Sequence, residues 1–160
     1  MGVEIEKKFL VRNESWRQGV TESIPIRQGY LASAERCAVR VRLAGNRAWL
    51  TIKGARVHGA APEYNYPIPV TDAEMLLCMA ERPLIEKTRH LVPHSGKMWE
   101  VDEFSGENKG LILAEIELTH TEEPFALPAW AGREVTEYAR FYNVRLVNRP
   151  YSTWSEEEKR

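Results

Sequence analysis

Apolar and polar residues alternate through most of the first 120 residues, which is typical of strands that bury one face of a sheet. Short turn sequences separate several of these stretches, among them Ala-Gly-Asn at 44–46 and His-Ser-Gly at 94–96. The alternation predicts eight strands, at about residues 2–12, 24–34, 36–44, 47–54, 62–69, 84–93, 97–104 and 110–120.

Three segments break the alternation and predict helices. The stretch 71–82 opens with Thr71 and Glu74 at capping-box spacing, and a short helix near 13–19 contains a tryptophan that would dock it. The segment 134–147 also has a helical pattern, because its aromatic and aliphatic residues fall on related faces. The apolar stripe expected on the helix at 71–82 consists of Met75, Leu76 and Met79.

Eight strands with few helices favour an α+β protein that is mainly antiparallel β, folded as a closed barrel or a strongly curved sheet. A length of 160 residues suits one domain over 1–160. No internal repeat, low-complexity segment or linker divides the sequence.

Charge and cysteine content narrow the function classes. The 22 Lys and Arg residues nearly balance 23 Asp and Glu residues, so overall charge does not support a nucleic-acid or membrane-surface partner. No apolar run approaches the ~20 residues of a membrane span, and no signal peptide is visible. Cys37 and Cys78 lack metal or disulfide spacing and lie in apolar contexts, which predicts buried free thiols and a cytoplasmic protein.

Charged residues occupy one face of nearly every predicted strand. Acids accompany acids and bases accompany bases within a strand, as in Glu-Ile-Glu at 4–6 and Arg-Val-Arg at 40–42. The acids of this set are Glu4, Glu6, Glu63, Glu100, Asp102, Glu115 and Glu117, and the bases are Lys8, Arg40, Arg42, Lys53, Lys87 and Arg89.

A solvated face of an antiparallel sheet would explain any one of these strands. It does not explain the segregation, because like-charged neighbours are unfavourable across strands. An enclosed face that holds a polyanion with its metal ions does explain it, since Arg and Lys bind phosphate oxygens and carboxylates suit hard Mg²⁺. The sequence therefore predicts an inverted barrel, with a polar interior and an apolar outer surface covered by helices.

The ordered motifs resemble the CYTH superfamily, the triphosphate tunnel metalloenzymes. EIEKK in the first strand matches the E-x-E-x-K signature of that superfamily. RVR, TIKG, the glutamate of PEYNYP, EKTRH, WEVDEF and LAEIEL match its later charged strands in the same order. The resemblance covers about residues 2–120, and the length is similar to that of small bacterial members that hydrolyse inorganic triphosphate.

The resemblance implies an eight-stranded tunnel in which a water activated by Mg²⁺ or Mn²⁺ hydrolyses inorganic triphosphate to pyrophosphate and phosphate. The implied substrate-binding residues are Lys8, Arg40, Arg42, Lys53, Lys87 and Arg89. The implied metal ligands are Glu4, Glu6, Glu63, Glu100, Asp102, Glu115 and Glu117, with Glu63 and Glu100 in an outer or substrate-dependent role. The implied catalytic set is Glu4, Glu6, Lys8, Lys87 and Tyr30.

Several alternatives stay open at this point. Tyr30 is equally well explained as a structural residue. Nucleoside or thiamine triphosphatases and class IV adenylate cyclases of the same superfamily share the triphosphate-binding residues. A non-catalytic polyphosphate- or nucleotide-binding module is less consistent with so many carboxylates, and a plain sheet with a solvated face is the simplest rival. We expect no nucleic-acid or membrane partner, and a homodimer stays open because the sequence shows no interface signature.

Overall fold

Nine strands form the framework of the computed structural model, which describes residues 2–160. The strands are β1 Gly2–Val11, β2 Glu22–Ser33, β3 Cys37–Ala44, β4 Arg47–Gly54, β5 Ala60–Ile68, β6 Ile85–His94, β7 Lys97–Phe104, β8 Ile112–Glu117 and β9 Ala131–Glu134. The α-helices are α1 Val70–Met79 and α2 Asn143–Asn148. Short 3₁₀ helices span Ser15–Gly19, Gly106–Asn108, Ala139–Phe141 and Tyr151–Thr153.

The first eight strands close into an antiparallel barrel. Their order is β5-β4-β3-β2-β6-β7-β8-β1, and pairing between β1 and β5 closes the ring. The eight strands predicted from the alternation are confirmed, with ends that differ by at most three residues. The prediction of a mainly antiparallel α+β barrel is therefore confirmed.

Strand β9 was not predicted from the sequence. The first residues of β1, Gly2–Ile5, pair with β5. Further along the same edge, Phe9 pairs with Glu134 and Val11 with Ala131, so β9 pairs with the part of β1 that β5 does not reach. Its sequence AGRE is too short and too polar to show an alternation.

The helix predicted at 71–82 is confirmed as α1, but its predicted cap is wrong. The helix follows Pro69, and no side chain caps its first turn, so Thr71 and Glu74 form no capping box. Glu74 instead pairs with Arg27 of β2, because α1 packs against the outside of β2, β3 and β4.

The predicted apolar stripe of α1 is confirmed for Leu76, which is partly buried against the barrel, and is wrong for Met75 and Met79. The face that packs on the barrel is centred on Ala73 and Leu77, which are buried. The approach is close at the end of the helix, where a Cβ on Gly29 would lie 2.5 Å from the Cβ of Ala80. The lack of a side chain at Gly29 therefore allows the end of α1 to lie close to β2. The methionines left exposed are Met75 and Met79.

The sequence predicted one helix over 134–147, and this prediction is wrong. Its first residues prolong the strand pairing with β1: Val135 N donates to Lys8 O at 2.7 Å, and Lys8 N donates to Thr136 Oγ1 at 3.0 Å. A 3₁₀ turn and α2 follow only after this pairing ends. The backbone hydrogen bonds to β1 thus take precedence over the helical pattern of the side chains.

An apolar cluster closes one end of the barrel. Leu113 and Ile85 share the inward faces of their strands with Glu115 and Lys87, two residues away along each strand. The C-terminal segment packs on them and completes the cluster. Its buried contributions are Val135, Phe141, Leu146, Val147 and Trp154.

A second apolar cluster covers the outside of β1, β6, β7 and β8. Trp16, which is fully buried, docks the 3₁₀ helix Ser15–Gly19 there, so the short helix predicted near 13–19 is confirmed. Trp99 lies at the centre, with its ring centroid 5.5 Å from that of Phe9 and 5.6 Å from that of Trp130. The expectation of a covered apolar outer surface is therefore met over β1, β6, β7 and β8, whereas Ile52, Tyr64 and Tyr66 on the outside of β4 and β5 are exposed.

Both cysteines are exposed, contrary to the expectation of buried thiols, and both are free. Cys37 is the first residue of β3, and Cys78 lies beside the buried Leu77 of α1, where the next helical position turns away from the barrel. Among residues 2–160, no helix is both long and apolar enough to cross a membrane.

Candidate active site

A cavity of about 650 Å³ lies inside the barrel. Thirteen of the fourteen residues that the sequence placed at the site line it. They are Glu4, Glu6, Lys8, Tyr30, Arg40, Arg42, Lys53, Glu63, Lys87, Arg89, Glu100, Glu115 and Glu117. The exception is Asp102.

Acidic and basic side chains line opposite halves of this cavity. Strands β7, β8, β1 and β5 are consecutive around the ring and carry the acids. Strands β4, β3, β2 and β6 are consecutive and carry the bases together with the neutral Gln28. Lys8 of β1 is the exception, and its Nζ donates to Glu115 Oε1 at 2.9 Å. One wall therefore attracts cations and the other attracts anions.

Two basic residues hold the glutamates at the start of β1. Lys53 pairs with Glu4, and Arg56 Nη2 lies 3.1 Å from Glu4 Oε2 and 2.9 Å from Glu6 Oε1. Burial raises the pKa of Glu6 to about 7, with help from the charges of Glu115 and Glu4. Burial would raise the pKa of Glu4 as well, but Lys53 outweighs it and the pKa is lowered.

Glu63 and Glu117 are the carboxylates with the fewest basic contacts. Glu63 Oε2 is buried without a hydrogen-bond partner, and its salt bridge to Lys53 is long, at 3.6 Å. Glu117 forms no salt bridge within residues 2–160, and burial together with the charges of Glu4 and Glu63 raises its pKa. These carboxylates therefore have oxygens left to bind a cation.

No three acidic, histidine or cysteine side chains in the described part of the chain converge as a ready metal site. Lys53 and Arg56 lie against the carboxylates instead.

Asp102, on β7, is not among the residues that line the cavity. It is fully buried, and its oxygens accept from Lys87 Nζ at 2.6 Å and from Arg89 Nε and Nη2 at 2.8 Å each. Burial would raise its pKa, but Arg89 and Lys87 outweigh burial and hold the pKa at about 2. The structure thus favours a role in fixing these two bases over the metal-ligand role expected from the sequence.

Lys87 has an unusual proton affinity. Burial lowers its pKa to about 7, and the charges of Arg89 and Arg42 add to this effect against the opposing charge of Asp102. The residue can therefore hold or release a proton near neutral pH.

Glu115 and Glu100 link the two halves of the cavity. Glu115 lies between Lys8 and Arg89, at 2.9 and 3.8 Å, and these bases outweigh burial so that its pKa is well below the usual value. Glu100 pairs with Arg89, yet burial raises its pKa. Both carboxylates therefore stand at the boundary between the acidic and basic walls.

Arg40 and Arg42 are the two bases of the cavity whose charge is least neutralised by nearby carboxylates. Arg40 Nε is buried without a hydrogen-bond partner, and Arg40 Nη2 donates to Thr51 Oγ1 at 3.3 Å. Arg42 Nε donates to the neutral Gln28 at 2.9 Å. Burial and the charges of Arg40 and Arg89 lower the pKa of Arg42 to about 9. Such a cluster becomes favourable when an anion binds between its members.

Four lining or supporting residues were missed in the sequence. Asn143 Oδ1 accepts from Lys87 Nζ at 2.9 Å and from Gln28 Nε2 at 3.0 Å. The Tyr142 ring lies 5.6 Å from Lys8 Nζ and 5.4 Å from the guanidinium of Arg56. Gln28 could have been found, because it is in phase with Tyr30 on β2. Arg56, Tyr142 and Asn143 lie outside the barrel strands, where a period of two gives no signal.

Tyr30 and His90 have largely packing roles in this structure. Tyr30 lines the cavity but is 6% exposed and belongs to the apolar cluster at its closed end. His90 faces outward, where its ring centroid lies 5.0 Å from that of Trp16 and its ring nitrogens form hydrogen bonds with Ser23 and Glu103.

Comparison with known proteins gives evidence on the family of this chain that does not depend on the geometry of the cavity. A family model described as the CYTH domain matches residues 2–151. The chain is 43% identical to an inorganic triphosphatase of Acetivibrio thermocellus, over 98% of this chain and all of that protein. It is 36% identical to an inorganic triphosphatase of Nitrosomonas europaea, over 90% of this chain and 96% of that protein.

A solved structure of an inorganic triphosphatase superposes with a TM-score of 0.67 at 35% identity. The match covers 92% of this chain and 95% of the other.

Proposed function

This chain belongs to the CYTH family, and from that premise we propose that it hydrolyses inorganic triphosphate to pyrophosphate and phosphate with Mg²⁺ or Mn²⁺. The curated relatives are inorganic triphosphatases over nearly their whole length, which supports this substrate over a nucleotide. We propose further that residues 1–160 act as one domain.

The observation that carries the proposal is the division of the barrel interior into an acidic and a basic half. A triphosphate needs cations along its oxygens, and its metal ions need carboxylates on the other side. A cavity with an acidic and a basic wall satisfies both needs.

The basic wall would bind the substrate. Arg40 and Arg42 form no salt bridge to an acid within residues 2–160, and each can give several N–H donors to phosphate oxygens. Lys8, Lys53, Lys87 and Arg89 would complete the binding of the chain of phosphates, each exchanging part of its contact with a carboxylate for one with the substrate. Binding and transition-state stabilisation are then mainly electrostatic, as expected for phosphoryl transfer.

The acidic wall fits a hard divalent cation. Glu63 Oε2 has no partner and Glu117 has no salt bridge within residues 2–160, so carboxylate oxygens are available at that wall. We propose that Glu4, Glu6, Glu63 and Glu117 hold the metal ion, with Glu100 and Glu115 at its border with the substrate. When bound, a metal ion there would neutralise phosphate charge and lower the pKa of a water.

Lys87 would supply the proton for the leaving group. Asp102 and Asn143 fix its Nζ at 2.6 and 2.9 Å, and its pKa of about 7 allows proton transfer at neutral pH. Tyr30 would shape the closed end of the cavity, with no assigned part in proton transfer.

A reducing compartment suits this chain. Cys37 and Cys78 are free and exposed, and neither is paired in a disulfide. We propose on this basis that the protein works in the cytoplasm.

Product analysis tests the proposal. The protein is incubated separately with triphosphate, ATP and thiamine triphosphate, each with Mg²⁺, Mn²⁺ or EDTA, and the products are separated by ion chromatography. We expect metal-dependent release of phosphate and pyrophosphate, fastest from triphosphate. Cyclic AMP from ATP, or no turnover of any substrate, would overturn it.

Paired variants locate the reaction. Glu117→Gln removes a carboxylate that lines the cavity, whereas Glu103→Gln removes one on the outer face of β7. We expect turnover to fall about 100-fold in the first variant, by analogy with other lost electrostatic groups, and to stay unchanged in the second.

A further inference from the structure

We propose that Arg56 is a built-in counter-cation of the acidic wall, which a divalent metal ion must displace from Glu4 and Glu6 in order to bind. The inference rests on the proposed metal dependence and deepens it. It concerns a residue outside the barrel strands that the resemblance to the family did not mark.

The position of Arg56 is specific. One guanidinium nitrogen, Nη2, bridges Glu4 Oε2 at 3.1 Å and Glu6 Oε1 at 2.9 Å. The other, Nη1, donates to the backbone oxygen of Gly59 at 2.7 Å, and the guanidinium faces the Tyr142 ring at 5.4 Å. Contacts on all these sides hold the guanidinium against both carboxylates rather than in solvent.

The two carboxylates need a cation in this environment. Both side chains are largely buried, 20% and 13% exposed, and they carry like charge on the same face of β1. Buried like charges are costly unless a cation lies between them. Lys53 reaches only Glu4 of this pair, so Arg56 is the basic residue within residues 2–160 that forms a salt bridge to Glu6.

Arg56 lies in a connection between strands rather than in a strand. The connection joins β4 to β5 through residues 55–59, outside both strands. Its turn includes His58 at φ 50° and Gly59 at φ 80°. The guanidinium can withdraw by rotation of its side chain, while the Val57–Ala60 bridge and the hydrogen bond from Glu6 N to Gly59 O keep the turn in place.

Displacement has a measurable consequence. A metal ion and Arg56 would seek the same oxygens of Glu4 and Glu6, so the arginine lowers the apparent metal affinity. In exchange, it keeps the acidic wall neutralised when no metal is bound. The wild-type protein should therefore bind metal more weakly than a variant that lacks this cation.

Calorimetric titration with Mn²⁺ alone tests the inference, at about pH 8.5 so that the carboxylates are ionised. Arg56→Gln should bind Mn²⁺ about tenfold more tightly than wild type, and should melt at a lower temperature in EDTA. Added guanidinium ion should weaken Mn²⁺ binding to Arg56→Gln but not to wild type. Arg12→Gln is the matched control, since Arg12 is exposed and forms no salt bridge within the described residues, and it should titrate as wild type.

A second variant, Arg56→Lys, keeps the test informative if Arg56→Gln does not fold. Arg56→Lys keeps the charge, but an ammonium is less suited to bridging both carboxylates, so it should bind Mn²⁺ about threefold more tightly than wild type. Equal or weaker Mn²⁺ binding by both variants would overturn the role of Arg56 while leaving the proposed function intact. No Mn²⁺ binding by wild type or by any variant would overturn the metal dependence itself.

Discussion

Removal of the Asp102 carboxylate should lower the stability of the fold strongly and should change the affinity for metal ions only slightly. Asp102→Asn keeps the shape of the side chain but takes away the charge that accepts three hydrogen bonds of 2.6, 2.8 and 2.8 Å from Lys87 and Arg89. Breaking a buried ion pair by removing one partner costs about 3–5 kcal/mol. A domain of this size loses roughly 2–4 °C in melting temperature per kcal/mol, so a fall of roughly 6–20 °C is expected.

The variant is compared with Glu103→Gln, which alters the next residue of the same strand on its outer face. Glu103 is partly exposed and pairs with Arg17 at the surface, so its loss should cost less than about 1 kcal/mol. Thermal melts in EDTA measure stability, and calorimetry with Mn²⁺ measures metal affinity for each protein. We expect Asp102→Asn to melt much lower than the control while its Mn²⁺ affinity stays within about threefold of wild type.

The opposite pattern would refute this reasoning. If Asp102→Asn melts like wild type and loses tenfold or more in Mn²⁺ affinity, Asp102 is a metal ligand. The carboxylate would then have to leave Lys87 and Arg89 when metal binds.

Further predictions concern pH, anion binding and proton transfer. The pKa of Glu6 rises from 4.5 to about 7 on folding, so the free energy of unfolding of the metal-free protein should fall by up to about 3 kcal/mol as pH rises through this interval. Urea titrations should show that Glu6→Gln removes most of this fall. Arg42→Gln should at least halve the rise in melting temperature that triphosphate produces in EDTA; an undiminished rise would place the anion elsewhere. Asn143→Ala removes an acceptor of the charged form of Lys87, so the alkaline limb of the rate profile should move to lower pH, and an unmoved limb would separate Asn143 from Lys87.

The barrel could be predicted from the sequence because each strand buries one face and repeats at a period of two. This signal is local, and it gave strand ends within three residues. The failures have non-local causes. Helix α1 buries Leu77 and ends close to β2 at Ala80, where Gly29 of that strand has no side chain to prevent the approach. The segment after Glu134 follows β1 because its backbone finds hydrogen-bond partners there.

In the candidate site, too, local features could be predicted from the sequence and non-local ones could not. Residues that share a strand face, such as Lys87 and Arg89, could be grouped from sequence, since alternate residues must point to one side. Their pairing could not be predicted. The phase that put Asp102 in the interior does not reveal that two bases take up its oxygens. Arg56 enters from a connection and Asn143 from the first residue of α2, outside the strands whose period of two indicates where a side chain points.

The central claim is tested most directly by ³¹P NMR of triphosphate with the protein and Mg²⁺ in ¹⁸O-labelled water. The account predicts that the triphosphate signals are replaced by equal amounts of pyrophosphate and phosphate, with the label in the phosphate because water attacks the terminal phosphorus. Triphosphate that binds and shifts the melting temperature, yet shows no conversion over the same time course, would contradict hydrolysis and make the barrel a binding module.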